Sequence, residues 1–365
     1  MKGWFRRHAL RRPAGPPESQ PADADDLPRA TTEPVVQDDL WERCPQCREI
    51  LYARELHGNL QVCPKCGHHG RLTAPERLAQ LTDPGTWREF DADLTAADPI
   101  GFVRPGRESY AAKLDEEIAA HRKRTAGLLQ EVGEQEVSPT LKITLYRQHG
   151  AELPPEIDGR MTKPGAAPLL REAAVYGTAT IDGIPVVLAV MDPYFFAATM
   201  GAVVGEKIAR AAELAGYFRQ PLVVVAASGG ARQDEGIFAL LQMAKTTAAL
   251  TQLAEARLPY LAILTDPTLA GVTASFASQA DCIIAEPGAV IGFAGPRLIE
   301  QIMHEKLPAD ADTAEFQRTH GMVDMVVPRG ALKARLGRVL RLYLDARAAA
   351  AATTGTDTTT ILANS

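Results

Sequence analysis

The chain has 365 residues, of which 46% are apolar, so it can bury a full core, and we expect one large domain with a small appendage. A formal net charge of −6 excludes the broad basic surface that bulk nucleic-acid binding requires. The sequence contains no run of about 18 uncharged apolar residues, so we expect no membrane span. The first residues lack the long apolar stretch of a secretory signal, and we therefore expect a soluble, cytoplasmic protein.

The first residues of the chain are basic but show no periodic pattern. Residues 1–37 join "MKGWFRRHALRRP" to a stretch rich in proline, alanine and acidic residues, which cannot bury enough apolar surface to fold. We therefore predict a disordered basic tail and linker. A transit peptide or membrane-surface helix is the alternative, and Pro13 and the acidic stretch behind it speak against it.

Residues 38–77 contain two Cys-x-x-Cys pairs with the overall spacing C-x2-C-x15-C-x2-C. Two such turns joined by a hairpin present four thiolates to one tetrahedral ion and leave no open position for catalysis. The sequence predicts a zinc ribbon with one structural Zn²⁺; disulfides are the alternative, but a cytoplasmic chain keeps its thiols reduced. The predicted ligands are Cys44, Cys47, Cys63 and Cys66.

The histidines near the ribbon and the fifth cysteine of the chain are not predicted to bind metal. With four cysteines present, we predict surface positions rather than metal ligation for His57, His68 and His69. Cys282 lies in an apolar run and is predicted to be a core thiol. Residues 41–77 carry six Lys or Arg against four Glu, a slight excess. We expect the ribbon to dock or cover another part of the protein; contact with RNA or DNA is the alternative.

The segment after the ribbon predicts few elements. "TWREFDADL" predicts a short extended piece, and "ESYAAKLDEEIAAHRKR" predicts an amphipathic helix. Between about 119 and 170 the periodic signal weakens, and "ELPPEIDGRMTKPGAAP" is typical of a long polar loop. We interpret 119–170 as an insertion in a main domain that spans 78–345.

From residue 173 strands and helices alternate. A hairpin turns at Asp182-Gly183, and the next helix, over 200–218, places apolar residues on one face. Then follow a strand (221–228), a helix (236–256), a strand (260–266), a helix near "GVTASFASQA" and strands in "CIIAEPGAVIGF". This order predicts an α/β domain built from a repeated β-β-α spiral. The segment 346–365 has low complexity and is predicted to be a disordered tail.

Two glycines, Gly229 and Gly230, follow the strand that ends at Ser228. Without a Cβ, they can bare two N–H groups to a developing oxyanion near the positive end of the next helix, or they can merely turn the chain. The local pattern leaves both interpretations open. Ser228 is not a predicted nucleophile, because "AASGGA" is not the G-x-S-x-G motif. Among Arg232, Asp234 and Glu235, mutual ion pairing is the default expectation.

Several segments together carry a resemblance to a known family. "CPQC" and "CPKC" precede "SGGAR", "LLQMAKTTAAL", "LPYLAILTDPT", "GVTASFA" and "AEPGAVIGFAGPRLIEQ". Over residues 38–118 and 173–345 the chain resembles the β subunit of acetyl-coenzyme A carboxylase carboxyltransferase. The resemblance implies a crotonase-like (ClpP/crotonase) α/β spiral with an N-terminal four-cysteine zinc ribbon. It also implies an enzyme that transfers a carboxyl group from carboxybiotin to acetyl-coenzyme A, giving malonyl-coenzyme A for fatty acid synthesis.

The resemblance also implies roles for individual residues. Gly229 and Gly230 would be the catalytic pair that holds the thioester oxygen. Gly201 and Gly205 would allow close approach near the acyl end, although helix packing alone could explain both. The segment from Gly292 through Phe293 and Ala294 to Gly295 would line the cleft, with a core role for Phe293 as the alternative. The other implied substrate-binding residues are Ala231, Arg232 and Gly271.

The family's β subunit supplies half of an active site. The implied partners are a carboxyltransferase α subunit in an α2β2 heterotetramer, a biotin carboxyl carrier protein and a biotin carboxylase. Biotin would enter only as carboxybiotin on the separate carrier, and acetyl-coenzyme A and malonyl-coenzyme A would be substrate and product.

This chain departs from the family pattern at a few positions near the implied site. Alanine or threonine stands where the family has glycine, glycine, serine and glycine, at Ala197, Ala198, Thr199 and Ala270, and "GGAR" is followed by Gln233 and Asp234. Each added methyl group could reshape the pocket, so the acyl chain is less secure than the fold. The alternatives are a weakened paralogue that scaffolds or carboxylates another acyl-coenzyme A, and a hydrolase or decarboxylase acting alone.

Overall fold

The computed structural model describes residues 40–361 except 102, 104, 105, 107, 134–159, 162–169, 295–298, 300–303, 305–307 and 309. The predicted linker, Gly295 and most of the 119–170 segment therefore lie outside the described residues. Within the described part, no helix has the length and apolar character needed to cross a lipid bilayer.

The ribbon is a small two-stranded unit. Strands β1 (Trp41–Arg43) and β2 (Ile50–Tyr52) pair antiparallel, and helix α1 (Ala53–Gly58) follows directly. Helix α2 (Ala74–Leu81) then starts at a capping box, in which Thr73 and Glu76 satisfy each other's backbone N–H groups. These elements place all four cysteines on the turns before β2 and after α1.

The main sheet runs in the spatial order β10-β8-β7-β6-β5-β4-β3. Strands β3, β4 and β5 pair antiparallel, and β5, β6, β7, β8 and β10 pair parallel, while the short β9 pairs parallel with the end of β7. The strands are β3 (Arg88–Phe90), β4 (Ala174–Ile181), β5 (Ile184–Met191), β6 (Leu222–Ser228), β7 (Tyr260–Leu269), β8 (Cys282–Ala285), β9 (Ile291–Gly292) and β10 (Met325–Val326). The α/β order and the hairpin at Asp182-Gly183 agree with the predictions.

The remaining helices connect and cover these strands. They are α3 (Tyr110–Gly133), α4 (Ala202–Phe218), α5 (Ile237–Glu255), α6 (Ala270–Thr273), α7 (Ala314–Thr319) and α8 (Arg329–Ile361). The face of α4 predicted to be apolar is buried, including Ile208, Ala211, Ala212, Ala215 and Phe218. Cys282 is buried in β8, as predicted for a core thiol.

Alternate residues of the parallel strands face two separate hydrophobic layers. Val224 and Ala226 of β6 belong to the layer that contains the buried face of α4. Val223 and Val225 belong to the opposite layer, which contains apolar residues of α2 and α8. Because alternate residues of β6 are buried on opposite faces, the register of β6 in the sheet is fixed. The turn after Ser228 therefore starts at a defined position relative to the neighbouring strands.

Three helices differ in length from the expectations. The helix predicted by "ESYAAKLDEEIAAHRKR" continues as α3 to Gly133, into the segment where the periodic signal weakens. Helix α8 continues to Ile361, where a disordered tail from residue 346 was expected, because the alanine run has the highest helix propensity. The helix expected near "GVTASFASQA" is a single turn, α6, followed by the 3-10 turn Phe276–Ser278.

Candidate functional site

The four predicted zinc ligands lie together. Their sulfur atoms are all within 4.8 Å of one another, and the Sγ–Sγ distances are 3.7 Å for Cys44–Cys66 and 3.8 Å for Cys47–Cys63. A tetrahedral Zn²⁺ with bonds of about 2.3 Å requires sulfur–sulfur distances of about 3.8 Å. Although burial acts against it, hydrogen bonds from the backbone of Cys47 and Gln46 lower the pKa of Cys44 to about 7. The geometry therefore fits one structural zinc ion.

Arg329, at the start of α8, ties the ribbon to the sheet. Its guanidinium donates to the carbonyl oxygens of Leu60 (2.6 Å) and Gly70 (2.8 Å), and it pairs with Glu286 at 2.5 Å. The backbone N–H of Arg329 donates to Nε2 of His69 at 3.2 Å. His69 is buried, so its predicted surface position is wrong, and burial lowers its pKa.

Glu286 is the acidic centre of this junction. It lies just after β8 and is fully buried, and it also pairs with Arg77 of α2 at 2.6 Å. Burial alone would raise the pKa of Glu286, but the charges of Arg77 and Arg329 outweigh it and lower the pKa to about 2. The carboxylate is therefore kept ionised because two guanidinium groups surround it.

The glycine pair lies at the carboxyl end of β6, as predicted, but its amides are not bare. The N–H of Gly229 donates to the carbonyl oxygen of Ala197 at 2.8 Å. The N–H of Gly230 donates to Oγ of Ser228 at 3.0 Å. Of the two interpretations that the local pattern leaves open, this conformation has the turn, and the role of the pair in holding a thioester oxygen stays a prediction. The next amide, that of Ala231, has no acceptor among the hydrogen bonds of the described residues.

The turn that faces Gly229 is left-handed. Phe196, Ala197 and Ala198 have φ values of 45°, 51° and 49°, and Ala270 has φ 53°. This conformation costs about 1–2 kcal/mol for each residue that carries a Cβ. Three of the positions that depart from the family pattern therefore have backbone conformations that glycine adopts without strain.

The side chains at the departing positions also surround the glycine pair. A Cβ placed on Gly229 would lie 3.6 Å from Cβ of Ala197 and 3.7 Å from Cγ2 of Thr199. A Cβ on Gly230 would lie 3.0 Å from Cβ of Ala270. The methyl groups of these three residues consequently define the space around the pair.

Arg232 is buried, and its guanidinium is occupied by other groups of the protein, while its role in substrate binding stays a prediction. Its guanidinium forms a two-point ion pair with Glu172 at 2.6 Å and 2.9 Å and also donates to the carbonyl oxygen of Thr199 at 2.8 Å. The Tyr110 hydroxyl donates to Glu235 at 2.6 Å and accepts from Arg232 at 3.0 Å. Burial opposes ionisation, but the charge of Glu172 raises the pKa of Arg232. The structure therefore assigns the Arg232 side chain to positioning the loop.

Gly201 and Gly205 are required by packing. A Cβ on Gly201 would lie 2.3 Å from Oε1 of Glu235, whose other oxygen accepts from the N–H of Ala202 at 2.5 Å. A Cβ on Gly205 would lie 2.2 Å from Oε1 of Gln242 on α5. Packing of α4 on α5 accounts for Gly205, whereas Gly201 lies against Glu235 of the 3-10 turn Gln233–Glu235; neither space could hold a side chain without displacing these groups.

Gly271 and Gly292 lie close to the ends of β7 and β9. A Cβ on Gly271 would lie 3.1 Å from Sδ of Met243, and one on Gly292 would lie 2.8 Å from the Asp312 carboxyl group. Burial raises the pKa of Asp312. Both glycines therefore allow close packing at this edge of the sheet.

The segment after β9 lies at the surface. The Phe293 side chain is 71% exposed, so its alternative assignment to the core is wrong, and Ala294 is half-buried. An exposed phenylalanine beside the carboxyl ends of the parallel strands is available to a ligand or a partner.

Comparisons with known proteins identify the family. The acetyl-CoA carboxylase zinc finger domain matches residues 41–66, and the carboxyl transferase domain matches residues 133–351. The acetyl-coenzyme A carboxylase carboxyl transferase subunit beta of Chloroflexus aurantiacus is 47% identical over 84% of this chain and 85% of that protein. The chain belongs to the acetyl-coenzyme A carboxylase carboxyltransferase β-subunit family. The Chloroflexus aggregans protein of the same name is 46% identical over 87% of this chain and 88% of that protein.

A solved structure supports the fold. Transcarboxylase 12S superposes with a TM-score of 0.52 at 21% identity, covering 79% of this chain and 43% of that longer chain. At this identity the comparison concerns the fold alone. With the family matches, it confirms a crotonase-like α/β domain with a zinc ribbon, in a protein of the carboxyltransferase class.

Some residues that position this site were not found from the sequence. Glu172 is 60 positions from Arg232, and Tyr110 is 122 positions away. No local motif marks either residue, because their role arises only when α3, the start of β4 and the glycine loop meet. The available signal was the pairing expected between Arg232 and Glu235, which the structure contains at 3.4 Å.

Proposed function

We propose that this chain carries the acyl-coenzyme A half of a carboxyltransferase site. It transfers a carboxyl group from carboxybiotin on a carrier protein to acetyl-coenzyme A, forming malonyl-coenzyme A and leaving decarboxylated biotin on the carrier. The observation that supports this most is the Gly229–Gly230 loop, which sits at the carboxyl end of a buried parallel strand within the matched carboxyl transferase domain. Ligands of open α/β sheets bind at this end of the strands.

The chemistry places modest demands on the protein. Carboxybiotin releases CO2, and the freed ureido nitrogen accepts the α proton of the acyl group. The α carbon of the resulting enolate then attacks CO2. The α proton ends on the biotin nitrogen, and the electron pair of the enolate forms the new bond between the α carbon and the carboxyl group. The protein holds the two reactants together and stabilises the enolate oxygen with N–H donors, each contributing a few kcal/mol.

The internal acceptors of the glycine pair indicate how a thioester enters. The carbonyl oxygen of Ala197 and the hydroxyl of Ser228 each accept one of the N–H groups that would bind the substrate oxygen in the reacting complex. Rotation of the Ser228 side chain about its Cα–Cβ bond moves Oγ away and releases the Gly230 N–H. Relaxation of the strained turn at Phe196–Ala198 releases the Gly229 N–H. The free amide of Ala231 adds a third donor.

The surface next to the loop supports the need for a partner. The first turns of α5 expose large apolar side chains, and Phe293 is exposed as well. The large apolar residues exposed on α5 are Ile237, Phe238, Leu240 and Leu241. Contiguous apolar surface of this kind marks an interface. We assign it to a carboxyltransferase α subunit in an α2β2 complex, which works in the cytoplasm with a biotin carboxyl carrier protein and a biotin carboxylase.

We propose the remaining assignments on the same basis. Residues 38–77 form the zinc ribbon and 78–345 the transferase domain. Gly201, Gly205, Gly271 and Gly292 shape the cleft by close packing, and the stretch from Phe293 to Gly295 borders it.

A second candidate is a non-catalytic subunit that assembles but does not turn over. The observation that favours it is the occupation of both glycine amides by the chain's own oxygens. In that case the pair is only a turn, and the methyl groups of Ala197, Thr199 and Ala270 keep substrates out.

The reverse reaction separates the two candidates. The chain is co-purified with the α subunit of its own host, and malonyl-coenzyme A-dependent carboxylation of biocytin is measured. Gly229→Ala is expected to fold, because its Cβ makes no contact under 3.4 Å, yet to lower turnover by about 100-fold through misplacement of the thioester.

Gly216→Ala is the matched control, since a Cβ there has no neighbour within 4 Å. This variant should retain full turnover. A stable complex that carboxylates biocytin neither from malonyl-coenzyme A nor from its longer homologues would establish the second candidate instead.

A further inference from the structure

A cavity of about 590 Å³ lies at the end of the sheet opposite the glycine loop. It opens where β6 and β7 begin, whereas Gly229 and Gly230 follow the end of β6. The seven residues of β6 separate these two ends by about 20 Å. A molecule in this cavity therefore does not occupy the acyl site.

Three arginines line the cavity: Arg219, Arg257 and Arg347. No hydrogen-bond or ion-pair partner for their guanidinium groups occurs among the described residues. The acidic residue of the lining is Asp281, whose carboxylate already accepts the N–H of Tyr260 at 2.8 Å. The cavity thus carries a local charge of +2 on a chain whose net charge is −6.

Two of these arginines occupy equivalent positions in successive helix-to-strand turns. Arg219 follows α4 and Arg257 follows α5. In each case a proline stands two residues after the arginine, and the next strand begins directly after that proline. Their φ values are 54° and 52°, a conformation that usually selects glycine or asparagine. The turns therefore do not need arginine for their shape.

Stabilisation of helix dipoles explains only part of this arrangement. A cation near the carboxyl end of α4 or α5 is favourable, which would account for Arg219 and Arg257 separately. It does not account for Arg347, which comes from the middle of α8 and lines the same cavity. Three guanidinium groups from three elements around one space are suited to a phosphate group, which arginine binds through paired N–H donors.

The rest of the lining is apolar. It includes the side chains of Ala254, Leu258 and Pro259, and the Tyr343 ring, whose hydroxyl donates to the Asp281 carbonyl at 2.8 Å. From these observations we propose that the cavity binds a small phosphorylated ligand that carries an apolar or aromatic group. The arginines hold the phosphate, and the alanine, proline and tyrosine wall holds the remainder.

Direct binding to the full-length chain tests the proposal, with adenosine monophosphate and inorganic phosphate as probes in isothermal titration calorimetry. Saturable binding of one adenosine monophosphate per chain is expected, tighter than that of inorganic phosphate and weakened by added salt. The double variant Arg219→Asn plus Arg257→Asn should weaken binding by about tenfold or more, because charge-assisted hydrogen bonds are lost. Asparagine tolerates the left-handed conformation, so both turns keep their shape.

A matched pair on α8 provides the control. Arg347→Gln should weaken binding, whereas Arg335→Gln, a change of the same type outside the cavity lining, should leave it unchanged. The proposal is overturned if the wild-type chain shows no saturable binding of either probe at millimolar concentration. It is equally overturned if the double variant binds as the wild type does, because charge elsewhere would then be responsible.

Discussion

The zinc ribbon and the glycine loop are built on opposite principles. The four ribbon cysteines lie within 23 consecutive residues, and their spacing alone brings the sulfur atoms to zinc-binding distances. The glycine loop depends on long-range contacts between residues that are 30 (Met200 and Gly230) to 122 (Tyr110 and Arg232) positions apart in the chain. A functional unit can thus be set either by local spacing or by the assembled core, and the two respond differently to mutation.

Removal of one ribbon cysteine tests the local principle. Cys63→Ala should lower the zinc content from one ion per chain to none and unfold the ribbon, since structural zinc supplies about 10–16 kcal/mol of binding free energy. Atomic absorption and limited proteolysis report these changes. Cys282→Ala, which removes a buried thiol outside the ribbon, should retain the zinc. Retention of one zinc ion by Cys63→Ala would show that spacing is not what holds the ribbon together.

Neutralisation of Glu172 tests the long-range principle. Glu172→Gln leaves the Arg232 guanidinium without its main buried counter-charge, so we expect the free energy of unfolding to fall by about 3–5 kcal/mol. Urea denaturation measures the change. The exposed Glu213→Gln on α4 should stay within about 0.5 kcal/mol of the wild type. An equally small effect of Glu172→Gln would mean that the loop is held by local contacts.

Protonation of Glu286 at low pH should weaken the junction between the ribbon and the sheet. The pKa of Glu286 is lowered from its ordinary value of 4.5 to about 2 in the folded state. A lowered pKa stabilises the fold above pH 4.5, and this contribution, about 3 kcal/mol, is lost as the pH falls toward 2. Denaturation at several pH values should show this loss in the wild type.

The Glu286→Gln variant isolates that carboxylate. It should lack the additional acid-dependent loss of stability. A slope like that of the wild type would instead assign the loss to Asp91, whose pKa is also lowered to about 2 because, against burial, hydrogen bonds from Arg160, Tyr176 and Arg210 favour its charged form.

Relief of strain in the left-handed turn should have a modest effect. Ala197→Gly removes the Cβ from a residue with φ 51°, so the free energy of unfolding should rise by up to about 1 kcal/mol. Ala244→Gly, at an exposed position within α5, should lower it by about 1 kcal/mol through helix propensity. Thermal denaturation compares them. If both substitutions destabilise equally, the turn is not strained.

Elements with a periodic pattern were predictable from the sequence. The hairpin at Asp182-Gly183, the apolar face of α4 and the cysteine cluster each follow from residues close together in the chain. The continuation of α8 was missed because low complexity was interpreted as disorder, although alanine favours helix.

The candidate site was predictable in position but not in detail. The strand-to-turn junction located Gly229 and Gly230. Their acceptors could not be inferred, because Ala197 reaches Gly229 only through the left-handed turn after β5. The ion pair of Arg232 with Glu172 could not be inferred for a related reason, because Glu172 belongs to another segment and no sequence signal links the two.

The Arg329 contact limits how freely the ribbon can be exchanged. One guanidinium bonds to two ribbon carbonyl groups, at Leu60 and Gly70, while its charge is balanced by Glu286 after β8. A ribbon transplanted from an unrelated protein would leave two of these donors without acceptors in a dry environment. The ribbon therefore cannot be exchanged as an independent module. A functional chimera has to carry over the start of α8 and Glu286 together with the four cysteines.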